Sequence, residues 1–562
     1  MGINTMGNLT SGSLPRWMVF VIVALMTMTP LQATGQTTPE ASPAATPLAT
    51  PIAGNSSRWW HGATCYEIFV RSFADSDADG IGDFAGVASR LDYLNDGDAA
   101  TTSDLGVTCI WLMPIMESVS YHGYDVTDYY AVEKDYGTKD DFLALIDAAH
   151  GRGIKVIIDH VINHTSVEHP WFIDAASGPD AARRDWYIFE EQDPAFTGPW
   201  GADAWHPAPA GADFYYGLFW SGMPDLNFRN PDVTAEIYAI TEFWLTEMRV
   251  DGFRLDAIKH LIEEGRVQES TPETLTWIRD YAAFIRSVKR DAYTVGEVSG
   301  ANAAALKPYY PDLLDQYFQF EIAAGTLSAA SSGSPLLLGI TVGGAERMIP
   351  DQRYATFLTN HDQPRVATQL DGDQEQLRVA AMLMLSLPGT PFIYYGEEIG
   401  MSGDKPDELI RTPMQWSGEA NGGFSTGMPW EPLRPDWPTV NVAAQTGVAG
   451  SLLETYRQWI RLRSEHPALS RGNFTMLETE SRSVLAFARR LEGETIVIVI
   501  NTGEEAVSNL AVTLQDELAD AGDIRFEDIS GADGERLSST DGVLIVPEVA
   551  AASGIMLVQT DR

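Results

Sequence analysis

Cysteine is scarce in this sequence, which contains only Cys65 and Cys109 among its 562 residues. Two cysteines are too few for a framework of several disulfides, and they cannot build a zinc site alone. Both lie in apolar segments typical of strands. Two alternatives therefore stay open: one disulfide, if the two strands are neighbours, or two buried thiols that pack as small apolar side chains.

Basic residues are few compared with acidic ones. Lysine and arginine together number 37, whereas aspartate and glutamate number 78, which gives a formal net charge of −41. Such a surface repels nucleic acids and anionic membranes, so we expect neither as a partner. The charge suits a neutral ligand, a bound cation or a salty environment, and a surface that only maintains solubility has the same composition. We expect a monomer.

Membrane-spanning hydrophobic runs are also lacking. The apolar run WMVFVIVALMTM follows Arg16 and has 12 residues, too few to cross a bilayer comfortably. The small residues of LQATG then suit cleavage near Ala33. We therefore expect a signal peptide over residues 1–33, a secreted protein and no membrane attachment after cleavage, with an uncleaved anchor as the alternative. Residues 34–57 are rich in Pro, Ala and Thr and predict a disordered linker.

Short runs of β-branched or aromatic residues recur along the chain, and helical periodicity fills several gaps between them. This alternation predicts a parallel sheet in an α/β protein, and eight strands predict a (β/α)₈ or TIM barrel. The predicted helical segments are 139–153, 233–248, 275–290 and 375–387. The predicted strands are 65–70, 107–113, 155–161, 250–256, 292–298, 313–320, 354–360 and 391–398.

Two segments depart from the barrel pattern. Residues 166–232 are rich in Trp, Pro and Gly and show no helical periodicity, so we predict a small domain inserted after the third strand. From about residue 470 the pattern becomes that of alternating strands, which predicts a C-terminal antiparallel β-domain, a sandwich, over residues 470–562. The barrel itself is predicted in two parts, 58–165 and 233–469.

Ionisable side chains follow several of the predicted strands. In barrels of this kind the chemistry lies at the carboxyl ends of the strands, so these side chains are expected to converge. An ion pair at one strand end would explain any of them singly, but not the whole set on one face. They are Asp159, Asn163 and His164 after strand three, Arg254 and Asp256 at strand four, Glu297 at strand five, and His361 and Asp362 after strand seven.

Paired carboxyl groups of this kind suit the cleavage of a glycosidic bond. Arg254 and Asp256 are two residues apart on a strand, so their side chains share a face. We expect the cation to keep Asp256 ionised, as a nucleophile must be. Glu297 has no basic neighbour in TVGEVSG, so an apolar setting is expected to raise its pKa, as a general acid requires.

Four motifs in order make this interpretation specific. DHVINHT (159–165), GFRLDAIKH (252–260), GEV (296–298) and FLTNHD (357–362) resemble the four conserved regions of the α-amylase family, glycoside hydrolase family 13. The resemblance runs from about residue 58 to the C-terminus and implies a retaining mechanism. By this resemblance Asp256 is the nucleophile, Glu297 the acid/base and Asp362 the third carboxylate, which binds sugar hydroxyls.

The same resemblance implies a set of substrate contacts. Arg254 would orient Asp256, and Asp159 would support that centre. Lys259 and His260 would contact the sugars of the leaving side. The residues implied to line the subsite before the cleaved bond are His122, Tyr124, His164 and His361.

The signals for specificity are mixed. MPDLN (223–227) resembles a group intermediate between oligo-1,6-glucosidases and neopullulanases, whose members are mostly α-amylases acting on starch and maltooligosaccharides. Relatives that act on α-1,6 bonds typically have a valine directly after the nucleophile, so by this resemblance Ala257 favours α-1,4 bonds. Asp125 and RTPMQW (411–416), however, resemble exo-acting α-glucosidases and trehalose synthases, in which the Asp and Arg411 together close the site around a terminal glucose. A structural anchor for a loop is the alternative role of Arg411.

The leading hypothesis is therefore a secreted α-glucan hydrolase, an α-amylase. Exo-action, transfer to another sugar, and a non-catalytic sugar-binding or transporter-accessory relative are the alternatives. Relatives of that last kind usually lose the carboxylates, which are present here. The tryptophans of the insertion suit stacking on sugars, with core packing as the alternative for each.

An acidic loop, DSDADGIGD (75–83), follows the first strand. Its aspartates alternate with small residues, and oxygen ligands at every second residue suit Ca²⁺. The loop also resembles a recurring metal site of the family, which implies the carbonyl of Ile81 as a further ligand. The expected Ca²⁺ ligands are Asp75, Asp77, Asp79, Ile81 and Asp83, and the alternative is a solvated acidic turn.

Overall fold

The structure is a computed structural model that describes residues 58–515, 518, 523–531 and 534–560. The signal peptide predicted over residues 1–33 and the linker predicted over 34–57 lie outside these residues. In the part of the chain that is described, no helix has both the length and the apolar character needed to cross a membrane.

The strands of the described residues form two closed rings and two small sheets. In chain order they are β1 (Cys65–Ile68), β2 (Cys109–Leu112), β3 (Met116–Ser118), β4 (Val126–Val132), β5 (Lys155–His160), β6 (Phe189–Glu190), β7 (Trp205–Pro207), β8 (Phe214–Tyr216), β9 (Gly252–Leu255), β10 (Tyr293–Gly296), β11 (Gln316–Phe318), β12 (Tyr354–Phe357), β13 (Thr390–Tyr394), β14 (Asn473–Thr479), β15 (Val484–Leu491), β16 (Glu494–Asn501), β17 (Val507–Thr513), β18 (Arg525–Asp528), β19 (Arg536–Thr540), β20 (Val543–Val549) and β21 (Ser553–Gln559).

The first ring is the predicted parallel barrel, in the order β1, β2, β5, β9, β10, β11, β12, β13, with β13 pairing with β1. Each of the eight predicted strands overlaps one of these barrel strands, and the fold class is confirmed. The pattern predicts them well because both faces of each strand are covered, which demands a short, continuously apolar run. The side chains of most barrel strands are almost entirely buried.

Helices alternate with the barrel strands, and the four predicted helical segments correspond to α4, α6, α7 and α12 as defined below. Each of these four begins after a residue whose side chain accepts a backbone N–H of the first turn, which explains the starting points. Besides short 3₁₀ helices, the described residues form the α-helices α1 (Val70–Phe73), α2 (Phe84–Ser89), α3 (Leu91–Leu94), α4 (Lys139–Gly151), α5 (Pro170–Ala175), α6 (Pro231–Thr246), α7 (Pro272–Val288), α8 (Ala303–Leu306), α9 (Phe320–Ser332), α10 (Leu336–Met348), α11 (Val366–Gln369), α12 (Gln374–Ser386), α13 (Asp407–Ile410), α14 (Val442–Gln445), α15 (Leu452–Glu465) and α16 (Pro467–Arg471).

The insertion predicted over residues 166–232 covers most of the segment between β5 and α6 and the first two residues of α6. Its small antiparallel sheet has the order β6, β8, β7. The expectation that this segment lacks helix is wrong at three points, because α5 lies within it, residues Arg184–Trp186 form a short 3₁₀ helix, and α6 already begins at Pro231. The six residues of α5 are too few to show a helical period, although Pro170 in its first turn and the capping side chain of His169 mark its start.

The C-terminal β-domain is antiparallel, as predicted, but its strands close into one ring instead of forming two separate sheets. The order is β14, β15, β16, β21, β18, β19, β20, β17, and β17 pairs with β14. The ring closes because β14 pairs with two strands. Its residues Asn473–Leu477 pair with β15, and its residues Glu478 and Thr479 pair with β17.

A disulfide joins Cys65 and Cys109. The two residues lie opposite each other on the adjacent strands β1 and β2, and both are fully buried. The structure thus selects the disulfide from the two alternatives that the sequence leaves open.

Candidate active site

The register of neighbouring strands brings the predicted acids to one end of the barrel. Asp159 on β5 is level with Arg254 on β9. Asp256 directly follows the end of β9 and Glu297 directly follows the end of β10, and the last residues of these two strands are paired. The carboxyl groups of Asp256 and Glu297 therefore follow adjacent strands at the same level along the barrel axis.

The guanidinium group of Arg254 lies between three carboxyl groups and is almost completely buried. Its Nη1 donates to Asp159 Oδ1 and Oδ2 at 2.9 and 3.0 Å and to Asp256 Oδ1 at 2.6 Å. Its Nη2 donates to Glu297 Oε2 at 2.6 Å. The segment TVGEVSG offers Glu297 no cation, but Arg254 reaches Glu297 from the adjacent strand.

Burial dominates the electrostatics of these acids. It raises the pKa of Asp256 and that of Glu297, and the charge of Arg254 lowers both without reversing the direction. Burial likewise raises the pKa of Asp159 to about 7. The upward shift expected for the pKa of Glu297 is present, but at Asp256 burial outweighs the lowering by Arg254, so the pKa of Asp256 is raised and not lowered as expected. Acids this close together release their protons as a group.

The third predicted acid, Asp362, lines the same cavity as Asp256 and Glu297 and interacts with two cationic side chains. Its Oδ1 accepts a hydrogen bond from Arg411 Nη2 at 3.1 Å, and its Oδ2 lies 3.3 Å from His361 Nε2. Desolvation alone would raise the pKa of Asp362, but His361 and then Arg411 hold it well below its usual range. Asp362 is therefore ionised at neutral pH.

His361 lies between Asp362 and a residue that the motifs do not contain, Glu67 on β1. Glu67 Oε1 is 2.5 Å from His361 Nδ1, and both side chains are buried. The hydroxyl of Tyr124 lies 2.6 Å from His361 Nε2 and donates to Asp159 Oδ2 at 3.0 Å. Desolvation lowers the pKa of His361, but Asp362 and Glu67 raise it to about 10, so the imidazole is charged.

These groups line a cavity of about 450 Å³. Its wall contains Asp256, Glu297 and Asp362 together with five of the predicted substrate contacts, namely His122, Tyr124, His164, His260 and Arg411. Four other predicted contacts do not line this cavity: Asp125, Arg254, Lys259 and His361. The wall also contains Trp200 and Trp220, two of the insertion's tryptophans, together with Phe219 and Asp407, which the sequence analysis did not single out.

Asp125 and Arg411 do not pair with each other. Arg411 Nη2 donates to Asp362 and, at 3.1 Å, to Asp407 Oδ2, which lies one helical turn earlier. Asp125 is buried and accepts hydrogen bonds from the backbone N–H and the hydroxyl of Ser120. The signal that could have identified Asp407 is its spacing of four residues from Arg411, which is typical of an ion pair on a helix.

Lys259 and His260 contact residues of neighbouring loops and form no hydrogen bond or ion pair with the three acids. Lys259 Nζ donates to the carbonyl of Ser299 at 2.9 Å and lies 2.6 Å from Glu269 Oε2, so its charge is already paired. His260 Nδ1 lies 2.7 Å from the carbonyl of Gln268. Of the two side chains only His260 reaches the cavity wall.

The acidic loop brings three of its predicted ligands together. Carboxylate oxygens of Asp75, Asp77 and Asp83 all lie within 4.8 Å of one another. Asp79 lies outside this group, and its Oδ1 accepts the N–H of Ile81 at 2.7 Å. Oxygen donors within reach of one ion are the ligands that Ca²⁺ prefers, so the donor set fits this cation.

The barrel and its acid cluster are those of a glycoside-cleaving enzyme. A model of the α-amylase catalytic domain matches residues 67–472, and a model of the maltogenic amylase C-terminal domain matches residues 474–521. The chain therefore belongs to the α-amylase family of glycoside hydrolases.

Individual relatives agree with this assignment. Over 455 residues the chain is 40% identical to Alpha-amylase 3 of Dictyoglomus thermophilum, a match covering 80% of this chain and 86% of that protein. It is 34% identical over 516 residues to a trehalose synthase/amylase of Mycobacterium tuberculosis, and this match covers 79% of this chain and 82% of that protein. The crystal structure of an α-amylase from H. orenii superimposes with a TM-score of 0.79 at 40% identity, covering 89% of this chain and 99% of that one.

Proposed function

We propose that the protein is a retaining α-amylase that hydrolyses the α-1,4 bonds of starch and maltooligosaccharides. The observation that carries the proposal is the binding of Asp256 and Glu297 by the two terminal nitrogens of one guanidinium group, each at 2.6 Å. Retaining glycosidases hold their two carboxyl groups at the short separation of about 5–5.5 Å. The relative from Dictyoglomus thermophilum, named an α-amylase, supports the same activity.

In the first step Asp256 attacks the anomeric carbon while Glu297 donates its proton to the leaving oxygen. Burial raises the pKa of Glu297, which favours the protonated form needed here. The products are a glycosyl ester of Asp256 and a released sugar whose 4-hydroxyl group carries the proton from Glu297. In the second step Glu297, now ionised, accepts a proton from water, and this water breaks the ester with retention of the α configuration. Asp362, kept ionised by His361 and Arg411, accepts hydrogen bonds from hydroxyls of the reacting sugar.

Exo-action is the second candidate, because the chain also resembles a trehalose synthase/amylase. Closure around a terminal glucose would use Asp125 and Arg411 together. In the structure Arg411 binds Asp362 and Asp407, whereas Asp125 binds Ser120. This arrangement supports cleavage within a chain.

Product analysis by thin-layer chromatography distinguishes these functions, with starch, maltotriose and trehalose as substrates. The proposal predicts mixed maltooligosaccharides from starch at early times. Glucose as the sole early product would show exo-action, and conversion of trehalose would show a trehalose-synthase-type transfer. A folded protein that turns over none of the three would support the non-catalytic alternative and overturn the proposal.

We also propose that the protein is exported and binds Ca²⁺. The apolar run after Arg16 and the cleavage-type residues near Ala33 support export. Asp75, Asp77 and Asp83 would hold the cation, whose role would be to neutralise their mutual repulsion and stabilise the loop after β1.

A further inference from the structure

We propose that Trp430 is a positioning residue for the reaction, because it holds Arg411 in the orientation in which the guanidinium group binds Asp362. Trp430 does not itself line the cavity. The inference rests on the proposed function, because it takes Asp362 as the acid that binds hydroxyls of the reacting sugar. It goes further by giving a role to a tryptophan that lies outside the insertion and outside the four motifs.

The first observation is a path of two hydrogen bonds from the indole ring to the backbone of Arg411. Trp430 Nε1 donates to Ser72 Oγ at 3.0 Å. Ser72 Oγ in turn donates to the carbonyl oxygen of Arg411 at 2.5 Å. Ser72 is completely buried, and a hydrogen bond is stronger in such surroundings than in water. The indole N–H therefore helps to fix the backbone from which the Arg411 side chain projects.

The second observation is a stack of aromatic rings that ends at the guanidinium group. The ring centres of Trp430 and Tyr121 are 5.3 Å apart, with planes inclined by 29°. The central guanidinium carbon of Arg411 lies 5.9 Å from the ring centre of Tyr121, within the range of a cation–π interaction. Phe69 packs edge-on against both rings, at 6.4 Å from Tyr121 and 6.0 Å from Trp430. Trp430 thus supports Arg411 through its side chain as well as through its backbone.

The indole ring is itself held in place from the other side. The backbone N–H of Trp430 donates to the carbonyl of Gly80, in the acidic loop, at 2.9 Å. The guanidinium group of Arg71 lies 5.7 Å from the ring centre of Trp430 and is paired with Asp135 at 2.6 Å. Because its neighbours on this side are also fixed, the ring is a firm support for Arg411.

The orientation of Arg411 matters because its guanidinium group binds two successive residues. Nε donates to the carbonyl of His361 at 3.0 Å, and Nη2 donates to Asp362 Oδ1 at 3.1 Å. A planar group makes both bonds in one orientation only. A shift of Arg411 would therefore displace the Asp362 carboxylate, and even small displacements of a group that orients the substrate lower the rate.

The experiment is a double-mutant cycle with α-glucosyl fluoride as the substrate. This compound has one glucose unit, in the reacting position, and only fluoride on the leaving side, so it reports on the surroundings of Asp362. We measure kcat and KM for the full-length enzyme, Trp430→Ala, Arg411→Ala and the double variant.

We expect Trp430→Ala to lower kcat/KM about tenfold when Arg411 is present. The loss should appear mainly in kcat, because hydrogen bonds to the sugar hydroxyls strengthen in the transition state. In Arg411→Ala the group that Trp430 positions is absent. Adding Trp430→Ala in that background should therefore lower kcat/KM by less than about twofold.

Two further variants separate the contacts of the indole ring from the effect of removing a tryptophan. Trp430→Phe keeps a ring against Tyr121 but lacks the N–H, so its loss should be smaller, about threefold. Trp437→Ala is the matched control on the same segment. Its indole N–H donates to the carbonyl of Glu419 and the residue does not line the cavity, so kcat/KM should not change.

Equal losses from Trp430→Ala with and without Arg411 would show a general structural role and overturn the proposal, as would an unchanged kcat/KM in Trp430→Ala. If Trp430→Ala does not give a folded protein, Trp430→Phe replaces it in the same cycle. Failure of the proposed function looks different, because the unmodified enzyme would then release no fluoride.

Discussion

His361 connects a buried acid to the acids of the cavity. Its two ring nitrogens face Glu67 on one side and Asp362 and Tyr124 on the other. The charged imidazole keeps Asp362 ionised, and Glu67 keeps the imidazole charged. Glu67 therefore contributes to the site without touching the cavity, as a positioning residue that acts through His361.

Glu67→Gln tests this link through the pH dependence of stability. The pKa of His361 is raised from 6.5 to about 10 in the folded protein, so its charge contributes full stability below about pH 6.5. This contribution is lost as the pH rises through about 10. Removal of the Glu67 charge lowers the pKa of His361. The free energies of unfolding of the two proteins, measured in urea, should therefore differ most near pH 6.5 and converge towards pH 10. A difference that is constant over this range would contradict the link.

Single residues could be predicted where a motif contains them. Asp256, Glu297 and Asp362 follow three different strands, and the barrel geometry alone requires that they approach one another. The role of Glu67 could not be predicted from the sequence, because Glu67 lies outside the four motifs. Its partner His361 is 294 residues away and contacts it only after the barrel closes. The same applies to the contact of Arg254 with Glu297, which depends on the register of β9 and β10.

At the scale of the elements, strand pairing explains both the site and the disulfide. Long elements with buried faces, such as α7 and β13, are predictable because periodicity and apolar runs report burial directly. The helix α5 could not be predicted, because six residues are too few to show a helical period. The closure of the C-terminal ring could not be predicted either, because the alternation of apolar and polar residues does not show which edge strands pair.

The disulfide between β1 and β2 gives a prediction for these elements. Protein unfolded without reductant should not react with iodoacetamide, and after reduction it should react at Cys65 and Cys109. The double variant Cys65→Ala/Cys109→Ala is expected to lose about 3–4 kcal/mol of unfolding free energy, since the bridge closes a separation of 44 residues. Mass spectrometry checks the first outcome and urea unfolding the second. Two reactive thiols in the unreduced protein would show that the bridge does not form.

At the scale of the whole molecule, the negative charge is large and the substrate is neutral. The formal charge of −41 offers no attraction to an α-glucan, so binding depends on the shape and the local groups of the cleft. The same charge makes clusters of acids costly unless a cation neutralises them. The loop with Asp75, Asp77 and Asp83 is such a cluster, and its repulsion is expected to lower the stability of the ion-free protein.

Removal of calcium tests this cost in the complete protein. We expect EDTA to lower Tm by about 2–5 °C and added Ca²⁺ to restore it. Asp77→Asn removes one carboxylate of the cluster and should weaken the response to Ca²⁺. Asp180→Asn, an exposed aspartate of the insertion, is the control and should respond as the unmodified protein does. Scanning calorimetry measures the change, and a Tm that is insensitive to both EDTA and Ca²⁺ would exclude a stabilising ion.

Whether Asp256 is the nucleophile of a retaining enzyme can be tested by trapping the covalent intermediate and locating it by peptide mass spectrometry. In Glu297→Gln, a 5-fluoro-α-glucosyl fluoride can still form the ester, because fluoride leaves without a proton, but the ester is hydrolysed slowly. We expect one added glycosyl unit on the peptide that contains Asp256, and none in the Asp256→Asn/Glu297→Gln double variant. A glycosyl unit on any other residue, or turnover of the fluoride with release of the inverted sugar, would contradict this expectation.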